Sequence, residues 1–440
     1  MMRSPFEPFL LGNGFVILDG GLATELETQG ADLTGELWSA AILAENPSLI
    51  RETHLAYYRA GADVATTASY QASFEGFLRK GYGRERSKEL LLLSVKLAVE
   101  ARDRFWVEHQ GRSTSPASPP TASEPRTPPQ LPPPTSTKPP PTPITTTTTT
   151  KTTTTTTEAE KPQQKRRGGD GKRRGRRRPL VAASVGCYGA ALADGSEYRG
   201  GYSDTVGQQG LQDWHKERLD ILARADGVDL LMFETIPCLA EVRAILSLLE
   251  DLHPRVSAVI SISCKDGQHL RSGERVQEFA DLIWRHTEDS GGEGTGETAA
   301  TPTCVVGVGV NCTAPTHVAS VLRTLSAAAC KRRPSSNPST QASHLDTTET
   351  TSAPTKMSGA RCGARESPPQ IALVVYPNSG EEWDAGARDW VQGTGLQGVK
   401  EIGRLARDEW YLEGQGARVF GGCCRTRPAH IVEIRRALAS

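Results

Sequence analysis

Cysteine is scarce in this chain, nine residues in 440, and the number is odd. That argues against a disulfide-stapled scaffold, in which cysteines are dense and paired. No apolar run approaches the roughly 20 residues needed to cross a bilayer. Residues 1–14 have no sustained apolar core after a basic start, so no secretory leader is expected. Net charge is missing too. The 51 basic residues balance 51 acidic ones, leaving no global field to favour nucleic acid or a membrane surface. The first apolar run is not followed by a Gly-x-Gly-x-x-Gly turn, which disfavours a dinucleotide-binding open sheet. These absences describe a soluble protein of a reducing, cytoplasmic compartment.

Charge and composition are unevenly spread. Residues 110–178 are rich in Pro, Ser and Thr, pass through threonine tracts around Lys151, and end in Lys172-Arg173-Arg174-Gly175-Arg176-Arg177-Arg178. Residues 287–303 are rich in Gly, Glu and Thr, and residues 331–369 in Ser, Thr and Pro. Such segments cannot bury enough apolar surface to offset the entropy of ordering, so all three are expected to be disordered insertions. Without them about 300 residues remain, the size of one large α/β domain spanning residues 1–440.

That remainder has a rhythm. Apolar runs rich in β-branched residues fall at 15–20, 62–69, 180–186, 228–234, 257–264, 305–312, 371–376 and 417–422. Helix-period stretches lie between them at 47–60, 87–108, 211–224, 239–252, 276–286 and 318–329. Near-continuous apolar strands alternating with helices describe a parallel sheet buried on both faces. Eight such units predict a closed (β/α)8 TIM barrel, with an open doubly wound sheet as the alternative.

Polar residues cluster where the strands end. Asp19-Gly20-Gly21, Thr67-Ala68-Ser69-Tyr70, Glu234-Thr235, Asn311-Cys312, Pro377-Asn378-Ser379-Gly380 and Gly421-Gly422-Cys423-Cys424 all follow an apolar run. In a barrel these positions ring one pocket. Three of the side chains are thiols. Three cysteinates fit a zinc ion with one open coordination position, the mark of a catalytic site, and glycines before the cysteine pair would allow unusual backbone angles there. A soft substrate such as a thiol suits that metal. Cys187, Cys238, Cys264 and Cys304 fit the ordinary description of small buried hydrophobes. Blander roles exist for the others. Glu234 could pair with an arginine or cap a helix, Asp-Gly-Gly is an ordinary turn, and Tyr70 could serve packing alone. His430 is expected to contact the start of the last helix rather than serve as a fourth ligand.

In chain order, Asp19-Gly20-Gly21-Leu22-Ala23-Thr24-Glu25-Leu26, Phe233-Glu234-Thr235-Ile236-Pro237, Gly309-Val310-Asn311-Cys312, Val375-Tyr376-Pro377-Asn378-Ser379-Gly380-Glu381 and Gly421-Gly422-Cys423-Cys424-Arg425-Thr426 resemble the homocysteine S-methyltransferases. The resemblance runs from about Leu18 to the C-terminus, interrupted by the three low-complexity stretches. It implies a zinc-dependent barrel that methylates L-homocysteine to L-methionine, with Cys312, Cys423 and Cys424 as zinc ligands. It also implies that Glu234 and the Asp19-Gly20-Gly21 turn hold the amino-acid end of homocysteine, with Asn378, in a matching segment, at the same pocket; Tyr70, from its strand-end position, could line that pocket too. Ala193-Asp194-Gly195-Ser196-Glu197-Tyr198 is similar to the branch using S-methylmethionine or S-adenosylmethionine, and no cobalamin module is present. Cys187 departs from the family pattern, which often has proline there.

Other functions compete. Within enzymes, betaine is the alternative donor, and selenohomocysteine or selenocysteine the alternative acceptor. In a different class, the basic run at 165–178 could bind nucleic acid or direct nuclear import. It has no interleaved aromatics, so a solvated linker is the favoured role.

Overall fold

A computed structural model of the chain describes residues 4–33, 37–114, 176–289, 304–331, 371–381, 383–384, 389–391, 393–412 and 416–440. Eight strands run parallel: β1 (Val16–Ile17), β2 (Val64–Thr66), β3 (Leu180–Gly186), β4 (Leu230–Ile236), β5 (Ala258–Ile262), β6 (Val305–Asn311), β7 (Ala372–Tyr376) and β8 (Ala417–Phe420). Their order is β1-β8-β7-β6-β5-β4-β3-β2, and the parallel bridge Leu18↔Val64 closes the ring. The chain is therefore a (β/α)8 barrel, as its periodicity predicts.

The apolar runs divide by alternation. Leu230 and Met232 of β4, Val259 of β5, and Ala372, Val374 and Tyr376 of β7 join the interior cluster. Their neighbours Leu231, Phe233, Ile260, Leu373 and Val375 pack outward with residues of the helices, such as Ile50, Leu55 and Leu91. Both faces are thus buried, and polar side chains are tolerated only where the strands end. At the base the interior is filled by Phe6 and Phe9, beside and within the N-terminal helix Glu7–Asn13.

The helices begin and stop for local reasons. In Pro47–Ala60 the Asn46 side chain accepts from the Leu49 N–H, Pro47 occupies the first turn, and Gly61 ends the helix at φ 116°. A side-chain cap of this kind contributes about 1 kcal/mol, and the left-handed stop favours glycine. Side chains reinforce the seam between β1 and β2. Asp63 Oδ2 accepts from the Ile17 N–H at 3.0 Å and pairs with Arg435.

Both edges of the first expected insertion include residues with described structure. Helix Arg84–Thr114 runs past Gln110, because the amphipathic pattern is followed by several residues that tolerate helix. At the other edge, Arg176 donates to the Ala62 carbonyl at 2.6 Å and lies 4.5 Å over the Phe105 ring, while Arg178 pairs with Asp103 at 2.6 Å. The end of the basic run is thereby bound to the barrel. The rest of the three expected insertions, residues 115–175, 290–303 and 332–368 together with Pro369, lies outside the described residues. Among the described residues no helix is long and apolar enough to cross a membrane.

Candidate active site

The C-terminal strand ends bring the three cysteines together. The Sγ atoms of Cys312, Cys423 and Cys424 lie within 4.8 Å of one another. Cys424 Sγ is 3.7 Å from Cys312 Sγ and 3.9 Å from Cys423 Sγ. Zinc–sulfur bonds of about 2.3 Å at tetrahedral angles place neighbouring sulfurs ~3.8 Å apart, so these two edges fit such a set. Cys312 and Cys423 are joined to each other as a disulfide, so a three-thiolate site requires that pair reduced. Cys187, Cys238, Cys264 and Cys304 are free and buried.

Backbone contacts hold the Cys423-Cys424 turn over neighbouring strand ends. Gly422 N–H donates to the Asp19 carbonyl at 3.0 Å, Cys423 N–H to the Pro377 carbonyl at 2.8 Å, and Ser379 N–H to the Cys424 carbonyl at 3.1 Å. Gly421 and Gly422 serve this turn differently from expectation, since neither has a positive φ. They are needed for space. A Cβ on Gly421 would lie 2.6 Å from Leu18 Cβ, and one on Gly422 would collide with the Thr426 side chain. The left-handed backbone occurs instead at Cys312, φ 46°, a conformation that costs energy in a non-glycine residue and gathers at functional sites.

Asn311 locks the other side of the cluster. It accepts from the Thr235 N–H at 2.8 Å, donates Nδ2 to Thr235 Oγ1 at 2.8 Å, and reaches Cys423 Sγ at 3.9 Å. Two acids lie below. Glu234 is 8% and Asp19 3% exposed, and among the described residues neither has a cationic partner. Ser184 Oγ donates to Glu234. Burial pushes Glu234 up to about 7, against the opposing effect of Ser184 and Tyr376. Asp19 is raised well above its ordinary range, first by burial and further by the charge of Glu234, while the Thr66 N–H acts the other way.

The remaining expected positions divide between pocket and scaffold. Both oxygens of Asp19 accept from Thr66, at 2.8 Å from its N–H and 3.1 Å from its hydroxyl. This ties β1 to β2. Gly20 and Gly21 leave room for Tyr57 and the Cys423 carbonyl, and Tyr57 donates to the Gly21 carbonyl at 3.1 Å. Tyr70 packs across Gly186, where a Cβ would meet its ring at 2.8 Å, and its hydroxyl faces the Thr235 side chain. Asn378 Oδ1 accepts from the Gly380 N–H at 3.0 Å, so its carbonyl end shapes the loop. His430 accepts from the Arg427 N–H at 3.0 Å, the expected helix-start contact.

Several side chains at this mouth were not singled out by sequence. Ser184 and Tyr376 could have been, because they occupy inward-facing positions near the ends of β3 and β7. Asn311 directly precedes a candidate ligand. Tyr198 ends the Ala193–Tyr198 segment read as a donor-branch motif, without a role of its own, and Arg271 carries no such signal. The Tyr198 hydroxyl bonds with the Cys424 thiol, which burial pushes up and this contact pulls down. Arg271 lies over the Tyr198 ring.

Comparison with known proteins agrees with this arrangement. The family model described as homocysteine S-methyltransferase matches residues 16–438. Homocysteine S-methyltransferase YbgG of Bacillus subtilis is 32% identical over 431 residues, covering 98% of this chain and 96% of the relative. Homocysteine S-methyltransferase 4 of Zea mays is 35% identical, covering 97% and 90%. The crystal structure of the homocysteine methyltransferase MmuM from Escherichia coli in its oxidized form superposes with a TM-score of 0.62 at 30% identity, covering 99% of each chain. Its metallated form gives 0.61, also at 30% identity and 99% coverage of each chain. The barrel, the cysteine cluster and these full-length matches together establish that the chain belongs to the homocysteine S-methyltransferase family of enzymes.

Proposed function

We propose that this enzyme transfers a methyl group from a sulfonium donor, S-methylmethionine or S-adenosylmethionine, to the sulfur of L-homocysteine, yielding L-methionine. The observation that supports this reading most is the pairing of a three-thiol cluster with two buried carboxylates that lack a cation. A ligand bearing both a thiol and an ammonium group answers both features. Cys312, Cys423 and Cys424, once reduced, would hold zinc, which supplies a coordination position where a substrate thiol is kept as thiolate at neutral pH.

The rest is done by the chain's own groups. Glu234, as carboxylate, binds the ammonium group, and the nearby charge of Asp19 reinforces the attraction while its oxygens hold Thr66. Ser184 keeps the Glu234 carboxyl in place. Asn311, fixed by Thr235, points its amide at Cys423 and steadies that sulfur. Tyr70 narrows the pocket beside Thr235, and Asn378 shapes the loop over Cys424. The acceptor sulfur forms a bond to the methyl carbon as the methyl–sulfur bond of the donor breaks. The bonding pair stays on the departing sulfur, which leaves as a neutral thioether. No proton is needed, so no general acid is assigned. The contribution of the fold is orientation of two reactants at near-contact distance. A reducing compartment such as the cytoplasm suits this chemistry, because Cys312 and Cys423 must remain thiols.

Reduced, zinc-loaded protein should form methionine from homocysteine with at least one of S-methylmethionine and S-adenosylmethionine, with betaine as the comparison donor. Selenohomocysteine and selenocysteine serve as comparison acceptors in the same assay. Methionine from betaine alone would reassign the donor, and no product from any donor would overturn the activity.

A further inference from the structure

We propose that Arg271 reads the carboxylate of the methyl donor and so selects sulfonium compounds that carry one. This rests on the methyl-transfer reading above. Arg271 lies in the loop after β5, and its N–H donates to the Ser263 carbonyl at 3.1 Å. Its guanidinium is held from three sides. Nε donates to Ser263 Oγ at 3.2 Å, Nη2 donates to the Cys312 carbonyl at 3.1 Å, and Cζ lies 5.3 Å from the Tyr198 ring centroid. A fixed cation thus stands beside two of the three cysteines, since the Tyr198 hydroxyl contacts Cys424.

No carboxylate pairs with Arg271 among the described residues, and Nη1 makes no hydrogen bond there. A guanidinium is always charged and carries five donors in a planar fork matched to a carboxylate. Half-buried and without an anion, it is prepared for one supplied by a ligand. Position decides which ligand. Glu234 is engaged by Ser184 and Asp19 by Thr66, whereas Arg271 is held at the Cys312 carbonyl and the Tyr198 ring. Cys424 feels Glu234 and meets the hydroxyl of Tyr198, whose ring Arg271 covers, so the thiol adjoins both groups. In-line transfer requires the donor to approach from the side away from the acceptor's carbon chain. With homocysteine held at Glu234, a carboxylate at Arg271 belongs to the donor. The buried Oε2 of Glu197, beside Tyr198 in sequence, has no hydrogen-bond partner.

The test compares S-methyl-L-methionine with its α-carboxamide, using reduced, zinc-loaded wild type, Arg271→Gln and Arg271→Lys. Calorimetric donor binding is measured beside turnover. Loss of one charge-assisted contact predicts that the carboxamide binds wild type about 10- to 100-fold more weakly. Arg271→Gln should weaken S-methylmethionine by a similar factor, leave the carboxamide and the KM for homocysteine nearly unchanged, and retain zinc. Arg271→Lys should recover part of the loss. Equal binding of acid and amide to wild type overturns the proposal, as does a homocysteine KM that rises in place of the donor's. The binding arm stands apart from turnover. A preference for the acid without methionine formation would sink the proposed reaction while supporting carboxylate recognition by Arg271, provided the preference vanishes in Arg271→Gln.

Discussion

On one flank of the thiol cluster, Asp19 and Glu234 are almost sealed from water, at 3% and 8% exposure. On the other, Tyr198 is 41% exposed and carries the Arg271 guanidinium over its ring. Both flanks hold ionisable groups without a counter-charge among the described residues, but of opposite sign. The buried flank keeps its acids at a cost, visible in the rise of Glu234 to about 7. Arg271 is steadied by a carbonyl, a hydroxyl and an aromatic face, which restrain a cation without neutralising it. Under the proposed reaction, in which a methyl group passes between the sulfur atoms of two amino acids, this division has a use. Each flank can attract one partner's complementary charge while the thiols between them serve the shared step.

The comparison breaks completely if the centre is removed. Cys423→Ser, in reduced protein, should cut zinc retention and methionine formation together by more than about 100-fold, beyond what outer-shell changes cost. Zinc stoichiometry by mass spectrometry beside an activity assay decides this, and full zinc with normal turnover would refute the ligand assignment.

A narrower perturbation is Glu234→Gln. Losing a charged contact should raise the KM for homocysteine about 10- to 100-fold with zinc content unchanged. In wild type, that KM should fall as pH rises through about 7, where Glu234 ionises, and the variant should lose this dependence. Stability should move the opposite way. The folded protein keeps the Glu234 proton from the ordinary 4.5 up to about 7, whereas the unfolded chain releases it near the lower value. This group therefore makes the ligand-free fold less stable as pH climbs through that window. Melting of wild type and Glu234→Gln at pH 4 and pH 8 should show the variant gaining at the higher pH.

The smallest effect is expected from the first of the expected insertions. The connection from helix Arg84–Thr114 to β3 enters at the N-terminal end of that strand, opposite the active-site face of a barrel. Replacing residues 115–175 with a short Gly/Ser linker should leave kcat/KM within about two-fold, since loop closure changes by only ~0.6 kcal/mol per doubling of length. Proteolysis at the Lys/Arg-rich run should fall. A folded, zinc-loaded deletion protein unable to make methionine would place that segment at the mouth.

What could be read from sequence tracks how local its cause is. Eight strands announced themselves because burial on both faces demands continuous apolar runs. Cys312, Cys423, Cys424 and Glu234 stood out because reactive side chains at strand ends have few local alternatives. Asp19 and Asn378 were expected at the pocket, and their side chains bind Thr66 and Gly380, contacts that depend on another strand or on the turn's final shape. Gly421 and Gly422 were legible as special but for the wrong reason, since close approach by Leu18 and Thr426 becomes visible only after folding. Arg271 was hidden because its partners come from three separate segments: Ser263, Cys312 and Tyr198.

Phe6 and Phe9 give the barrel a floor, and that floor bears on the order of events. A well closed at its base has one opening for arrival and departure. Under the proposed assignment, homocysteine occupies the deeper, acidic flank and the methyl donor the shallower one beside Tyr198. The donor then lies across the exit of the acceptor. Homocysteine must enter first, and the thioether left by the donor, itself methionine where the donor is S-methylmethionine, must leave before the methionine made from homocysteine can. Traffic through the enzyme becomes sequential, with the last molecule in being the first one out, and a surplus of donor would stall the cycle by occupying the doorway before the acceptor arrives.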